Sequence, residues 1–436
     1  MKNTLEKITL FWFRRDLRLN DNRGLHEALQ QSENVLPIFI FDKNILGELS
    51  NKKDKRVSFI HQTLVELNEQ LKKAGSSLFV LHEEPEKAFE QLCKTFNVMA
   101  VYTNHDYEPY AINRDLKIAE KLKSKSIFFH SFKDQVIFEK SEVMKSDGTP
   151  YTIFTPYSRI WKQQLTEEKT KSFTSEKLLK NFFKTQSFPF PSLEELGFEK
   201  VDAHVPPNKL DKTIIQHYEQ TRNFPAIDGT SKLSVHLRFG TVSVRELVRS
   251  ALALNEQWLN ELIWREFFMM ILFQFPQVVT ESFKRKYDNI PWRNNEKEFD
   301  LWCKGETGYP IVDAGMRELN ETGLMHNRVR MVVASFLTKH LLIDWRWGEA
   351  YFAEKLLDYE LSSNNGNWQW AVGCGCDAAP YFRVFNPSEQ IKKFDPQYLY
   401  IKKWVKDFQS NYLPPMVEHD FARKRVLEVF KKALNE

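Results

Sequence analysis

The sequence predicts an N-terminal α/β domain built on a doubly wound parallel sheet, followed by an all-α C-terminal domain. Three observations carry that expectation. Over the first third of the chain, short apolar runs alternate with helix-length amphipathic stretches, the signature of βαβ units. A Lys-, Glu-, Ser- and Pro-rich stretch then interrupts the alternation. Beyond it, apolar residues recur with 3.6-residue spacing and few β-rich runs intervene.

The elements follow in order. Strands are expected at 8–13, 35–41, 78–81, 101–102 and 127–129, with amphipathic helices such as 57–72 and 109–123 between them. Such short apolar strands fit a sheet covered on both faces. No G-x-G-x-x-G follows the first strand, so the dinucleotide fingerprint is absent. The disordered-looking composition runs from about Gln164 to Pro207 and includes Phe188-Pro189-Phe190-Pro191 and Val205-Pro206-Pro207. It reads as an inter-domain connection. Helices are expected at 243–254, 256–275, 308–322, 326–341, 347–357 and 422–434. The resulting division is 1–135 for the α/β domain, 136–212 for the connection and 213–436 for the helical domain.

Composition narrows the function classes. Of 436 residues, 42% are hydrophobic and 28% charged, ordinary for a globular chain. A net charge of +4 permits a nucleic-acid partner without demanding one. Four cysteines, Cys93, Cys303, Cys374 and Cys376, form no disulfide framework. Cys374 and Cys376 are spaced as a metal pair would be, but no nearby Cys or His completes a set, so no metal is expected. Reduced thiols, no secretory signal and no apolar run long enough to span a bilayer point to a cytoplasmic protein away from membranes. The 11 Trp, each costly to bury because an indole N–H needs a partner, point to cores, stacking surfaces or electron relays, with core filling the reading for most aromatic residues.

Four segments concentrate chemistry. In Trp258–Phe267, Trp258, Glu261 and Arg265 share one helical stripe, with Trp264 three residues after Glu261. An internal Glu–Arg pair under tryptophan packing is the plain alternative. His326-Asn327-Arg328-Val329-Arg330-Met331 offers an Asn amide suited to a base edge, or simply a capped helix start. Asp358–Trp370 packs three Asn, a Gly and two Trp into a short span, which reads as a loop wrapping a polar ligand. Asp228–Ser234 offers either backbone N–H groups to a phosphate or an ordinary N-cap.

Taken in order, these segments resemble the photolyase/cryptochrome family, and most closely its class I cyclobutane pyrimidine dimer photolyases. The resemblance begins at Phe11-Trp12-Phe13-Arg14-Arg15-Asp16-Leu17-Arg18. It continues through Thr155-Pro156-Tyr157-Ser158 and Gly308-Tyr309-Pro310-Ile311-Val312-Asp313, and ends near Pro380–Pro387. It implies FAD in the helical domain. Tyr218, Thr230, Ser231, Lys232, Leu233 and Ser234 would hold its phosphates and ribityl chain. Trp258, Glu261, Arg265, Arg330, Asp358 and Glu360 would line the rest, with an Arg330–Asp358 ion pair beside the isoalloxazine. The family commonly has Asp where Glu360 stands. Asn364 would face flavin N5, where plant-type photoreceptors carry Asp.

The resemblance also implies a substrate, UV-damaged DNA. Trp264 and Trp370 would flank a flipped-out dimer. Glu261 would hydrogen-bond it, and Asn327 and Met331 would line its pocket. The photolyases of (6-4) lesions usually have His at Asn327, and single-strand-specific members usually lack Trp370. Arg222, Arg328, Arg383 and Gln390 would contact DNA. Trp368, Trp345 and Trp292 would carry electrons from the surface to the flavin. An antenna pigment (folate, deazaflavin or a second flavin) would sit in the α/β domain, with Asn104–Tyr110 in a suitable region. A monomer is the family default. A signalling cryptochrome is the rival reading, against which the chain's end soon after Val426-Leu427-Glu428 weighs, since no long tail follows.

Overall fold

The computed structural model describes residues 6–434 apart from 407 and 409–411. They group into two compact units: up to residue 139 with 165–209 and 233–250, and 140–164 with 210–232 and 251 onward.

The first unit is a parallel sheet of β1 (Lys7–Phe13), β2 (Val35–Asp42), β3 (Phe79–Glu83), β4 (Asn97–Asn104) and β5 (Phe128–Phe132), ordered β3-β2-β1-β4-β5. This is the doubly wound α/β sheet the alternation predicts. β2 is buried along its whole length and β1 along all but Lys7, as strands covered on both faces are. Several strands run past their apolar stretch into polar ends such as Asp42, Glu83 and Asn104, which hydrophobicity alone cannot mark.

Why residues 233–250 group with this sheet is visible in one buried network. Arg245, near the start of the helix Val244–Leu254, donates to Asp21 Oδ1 at 2.8 Å and to Asp134 Oδ1 at 2.7 Å. Asp134 also takes Arg18 at 2.6 Å. Burial alone would raise the Asp134 pKa, but the two guanidiniums outweigh it and hold the carboxyl below its usual range.

The second unit is helical, as its periodicity predicts. The helix Glu256–Gln274 buries residues on every side along its second half, so it runs through a core rather than over one. Trp302, Trp345 and Trp368 sit in a second apolar cluster with Val333, Leu337 and Phe430.

Three expectations change here. Asp358–Trp370 is not a loop: its residues from Leu361 belong to the helix Leu361–Val372. Its polar side chains are satisfied inside the fold, with Asn365 Nδ2 and Gln369 Nε2 donating to the Val278 carbonyl at 2.9 and 3.0 Å. Gly366 lets the Phe268 ring lie against the helix, where any Cβ would overlap it. The expected helix 326–341 is α-helical over Asn327–Ser335 and then widens into a π turn over Phe336–His340. The next helix, Trp345–Lys355, starts two residues earlier than expected because Asp344 caps it, accepting from Arg346 N at 3.0 Å. Among the described residues, no helix is long and apolar enough to cross a membrane.

Candidate active site

Three helices of the second unit, Asn327–Ser335, Trp345–Lys355 and Leu361–Val372, together with the turn Leu356–Glu360, wall a cavity that opens to solvent. The cavity gathers Asn327, Arg330, Met331, Asp358, Glu360, Asn364, Trp368 and Trp370, eight of the residues singled out from the sequence. Met331 lies one turn after Asn327, so one helical face presents both. Phe352, Leu356, Ala334 and Ala371 add apolar floor.

The charged wall is an ion pair. Arg330 Nη2 reaches the two Asp358 oxygens at 3.2 and 2.9 Å, and Arg330 Nε donates to the Met325 carbonyl at 2.8 Å. The helix below starts on His326, whose Nδ1 accepts from Arg328 N at 3.2 Å. Burial, with Arg328 and Arg330 nearby, lowers the His326 pKa to about 4, which keeps the ring neutral and able to accept.

Asn364 is buried and oriented. Its Nδ2 donates to the Glu349 carbonyl oxygen at 3.0 Å and to Glu349 Oε1 at 2.8 Å. Burial pushes the Glu349 carboxyl above its usual range, against the opposing pull of that hydrogen bond. Sequence reasoning missed Glu349. The available signal was its place one turn beyond Trp345 on the same helix, facing a segment already marked as polar. Gly348, its neighbour, allows the Trp368 ring to lie against this helix, since a Cβ there would overlap the ring.

The helix Glu256–Gln274 supplies further predicted residues. Trp258 is buried. Arg265 Nη2 reaches Glu360 Oε1 at 3.1 Å, and Glu360 Oε2 accepts from Ser363 at 3.1 Å. Glu261 accepts from Arg222 and, at 3.1 Å, from Gln257 Nε2. Arg222 also lies 5.4 Å from the Tyr218 ring centroid, so Tyr218, Arg222 and Glu261 form one group. Burial, then the Glu261 charge, pushes the Tyr218 phenol up. Trp264 is half-buried and stacks flat on Phe154, with centroids 3.7 Å apart and planes 4° apart. Phe154 is a second residue that sequence reasoning missed.

Of the residues expected against DNA, Arg328 is half-buried, bonds Asn223 Oδ1 at 2.6 Å and covers the Phe394 ring at 4.3 Å. Arg383 is exposed and Gln390 half-buried. Of the expected electron carriers, Trp345 and Trp368 are buried and Trp292 is half-buried, edge-on to Phe430 at 5.9 Å. The segment before Trp345 is tied to the Trp292 segment: Arg293 N donates to the Leu342 carbonyl at 2.8 Å, and Asp344 N to Asn294 Oδ1 at 2.9 Å.

The run Thr230–Ser234 crosses the division between the two units. Thr230 and Ser231 are half-buried, and Leu233 is buried. Lys232 adopts φ 52° and pairs with Asp228 at 2.7 Å. No hydroxyl caps the short helix Ser234–Phe239; apolar Leu233 occupies its N-cap, so the ordinary N-cap reading does not hold there.

The chain is similar to known proteins over nearly its whole length. Residues 9–175 match the family described as DNA photolyase, and residues 258–410 the FAD binding domain of DNA photolyase. A deoxyribodipyrimidine photo-lyase of Synechococcus sp. is 36% identical across 98% of this chain and 96% of its own. Among solved structures, a bacterial class III photolyase from Agrobacterium tumefaciens superposes with a TM-score of 0.88 at 31% identity, covering 100% of both chains. An archaeal photolyase from Sulfolobus tokodaii, solved with two FAD molecules, gives a TM-score of 0.79 at 36% identity, covering 98% of this chain and 100% of its own.

Proposed function

The chain belongs to the DNA photolyase family, FAD-dependent enzymes of light-driven DNA repair, and from that premise we propose that its lesion is the cyclobutane pyrimidine dimer. The observation that carries this reading is the composition of one cavity. Asn327, Met331 and Trp370, expected against the lesion, share it with Arg330, Asp358, Asn364 and Trp368, expected against the flavin. Electron transfer between two bound groups needs that adjacency.

The residues fit an isoalloxazine. A flat ring with an apolar body and a polar edge suits a floor of Phe352, Leu356 and Trp368 beside the Arg330–Asp358 pair and the Asn364 amide. FAD, when bound and fully reduced, supplies the light-driven single electron that opens the cyclobutane ring. The protein supplies placement and electrostatics. Arg330, held by Asp358, presents fixed positive charge beside the ring. Asn364, held by Glu349, presents a neutral amide edge rather than a carboxylate. Trp370 offers an apolar wall to a lesion taken out of the stack. Glu261, anchored by Arg222, hydrogen-bonds the dimer. Arg328 and Arg383 attract the phosphate backbone without reading sequence.

Trp368, Trp345 and Trp292 pass electrons inward when the cofactor is oxidised. Support for this comes from the Gly348 contact, which brings the helix of Trp345 against Trp368, and from the bonds tying the Trp292 segment to the start of that helix. A second pigment in the α/β unit, as a folate, deazaflavin or flavin antenna, remains part of the proposal, as do action as a monomer and a cytoplasmic site of action.

The test separates binding from chemistry. Glu261→Ala should lower the repair yield per absorbed photon while leaving dimer affinity nearly unchanged, and Trp370→Ala should weaken dimer affinity itself. Equal loss of affinity and yield in Glu261→Ala would remove Glu261 from the chemical step.

A further inference from the structure

One buried ammonium lies outside the cavity and has no carboxylate to pair with among the described residues. Lys339 is 1% exposed and sits in the π turn Phe336–His340, a widening of the helix that recurs at functional sites. Its Nζ donates to the Arg383 carbonyl at 2.8 Å. A charge buried against one neutral acceptor is costly, so its place in the fold calls for a role.

The acceptor lies in a segment without regular secondary structure. Residues 373–386 connect the helix Leu361–Val372 to the helix Pro387–Phe394. The start of this segment is tied down by backbone donors: Lys284 N to the Cys374 carbonyl at 2.8 Å, and Phe154 N to Asp377 Oδ2 at 3.0 Å. Further along, Tyr381 lies over Phe430 with centroids 6.1 Å apart. Arg383 N then donates to the Pro380 carbonyl at 2.9 Å, which closes a turn. The Arg383 residue is exposed, yet its carbonyl is held from inside by Lys339. The guanidinium therefore leaves from a fixed stretch of backbone.

We propose that Lys339 is a positioning residue for DNA binding: its buried ammonium fixes the Arg383 carbonyl, and with it the turn that presents the Arg383 guanidinium to the phosphate backbone. The inference rests on the reading of Arg383 as a phosphate contact. The electrostatics support it. Burial, then the Arg383 charge, lowers the Lys339 pKa to about 7, while the Cys374 thiol opposes the shift. That thiol is itself held up at about 12 and stays neutral. Burial lowers His340, on the same turn, to about 3, and also lowers His419, which hydrogen-bonds it from the helix His419–Leu434. Arg425 on that helix and Arg328 on the helix Asn327–Ser335 stay charged, and Glu349 on Trp345–Lys355 faces Asn364 instead. A phosphate beside Arg383 offsets the guanidinium charge, so DNA binding raises the Lys339 pKa and draws in a proton. Affinity for DNA should then fall as pH rises through about 7, the more so because a neutral amine is the weaker donor.

The test measures binding of the FAD-loaded full chain to an oligonucleotide with one thymine cyclobutane dimer, in the dark, by fluorescence anisotropy. Lys339→Met keeps the length of the side chain and removes its charge. It should weaken affinity several-fold, by no more than Arg383→Ala does, and flatten the fall with pH. In an Arg383→Ala background it should have no further effect, which a general loss of packing would not reproduce. Parental affinity in Lys339→Met, or the same loss in both backgrounds, would overturn the inference. Unchanged affinity in Arg383→Ala alone would instead overturn the reading of Arg383, and the inference with it. Calorimetry in buffers of different ionisation enthalpy gives a second measure that does not need Lys339→Met to fold. The parent should take up protons on binding near its Lys339 pKa of about 7, and Arg383→Ala should not. No uptake by the parent, or full uptake by Arg383→Ala, refutes the coupling of the two side chains.

Discussion

Replacing Asn364 with Asp sets a second carboxyl against Glu349. Asn364 Nδ2 stands 2.8 Å from Glu349 Oε1, so an Asp oxygen in its place would meet an acceptor at that distance. Two unit charges so close repel by roughly 6 kcal/mol at an effective dielectric constant of about 20. Glu349 is already pushed up by burial, so the pair cannot carry two charges and must share a proton at neutral pH. The sign then follows from linkage. A carboxyl whose folded pKa is raised binds its proton more tightly in the folded state, so folding stability falls as pH rises through the titration. Asn364→Asp should therefore show a protonated-carboxyl C=O band in the infrared at neutral pH. Its unfolding midpoint should drop below the parent's increasingly as pH rises from acid to neutral. Two ionised carboxylates at neutral pH, with no pH-dependent gap in stability, would show that Glu349 swings away and does not anchor Asn364.

Three further outcomes are expected. Arg245→Met leaves Asp21 and Asp134 buried without this partner and should cost about 3–5 kcal/mol in the first unit, read by limited proteolysis. Because the Asp134 pKa is held low in the folded state, its contribution is present above the unfolded value of about 3.9 and lost as pH falls further; a parent–variant gap that persists unchanged in acid would contradict the assignment. Gly348→Ala forces a methyl into the Trp368 ring and should cost about 1–3 kcal/mol, with a lower melting temperature; an unchanged melting temperature would mean the helix and ring are not in the described contact. Arg383→Ala should reduce the slope of log affinity against log salt by about 1, and parallel lines for parent and variant would remove Arg383 from the phosphate contacts.

The α/β sheet was legible because parallel strands buried on both faces are written as unbroken apolar runs, as in Val35–Phe41. The helical unit was legible from periodicity. What periodicity cannot show is which core a helix joins. Val244–Leu254 has an ordinary amphipathic pattern, and it is partners far away in sequence, Asp21 and Asp134 for Arg245 and Thr170 for Arg249, that tie its first turns into the first unit. The segment 358–370 read as a loop because Asn and Gly disfavour helices locally. Burial of Trp368, the Val278 carbonyl and the Phe268 ring override that preference. The segments that supply the cavity's polar residues stood out by composition, but the pairing of Arg330 with Asp358 was readable only through family resemblance, since the two are distant in sequence. Glu349 and Phe154 escaped because what they do lies in contacts to residues on other helices.

A cavity built for this chemistry should split a cyclobutane dimer in light and leave it intact in the dark. The most direct measurement illuminates the chemically reduced, FAD-loaded protein with an oligonucleotide carrying one thymine cyclobutane dimer, beside a dark control and a (6-4) substrate. Repair of the dimer alone, and only in light, is the predicted result. No repair despite bound reduced FAD and intact dimer binding, or repair of the (6-4) lesion instead, would contradict the account.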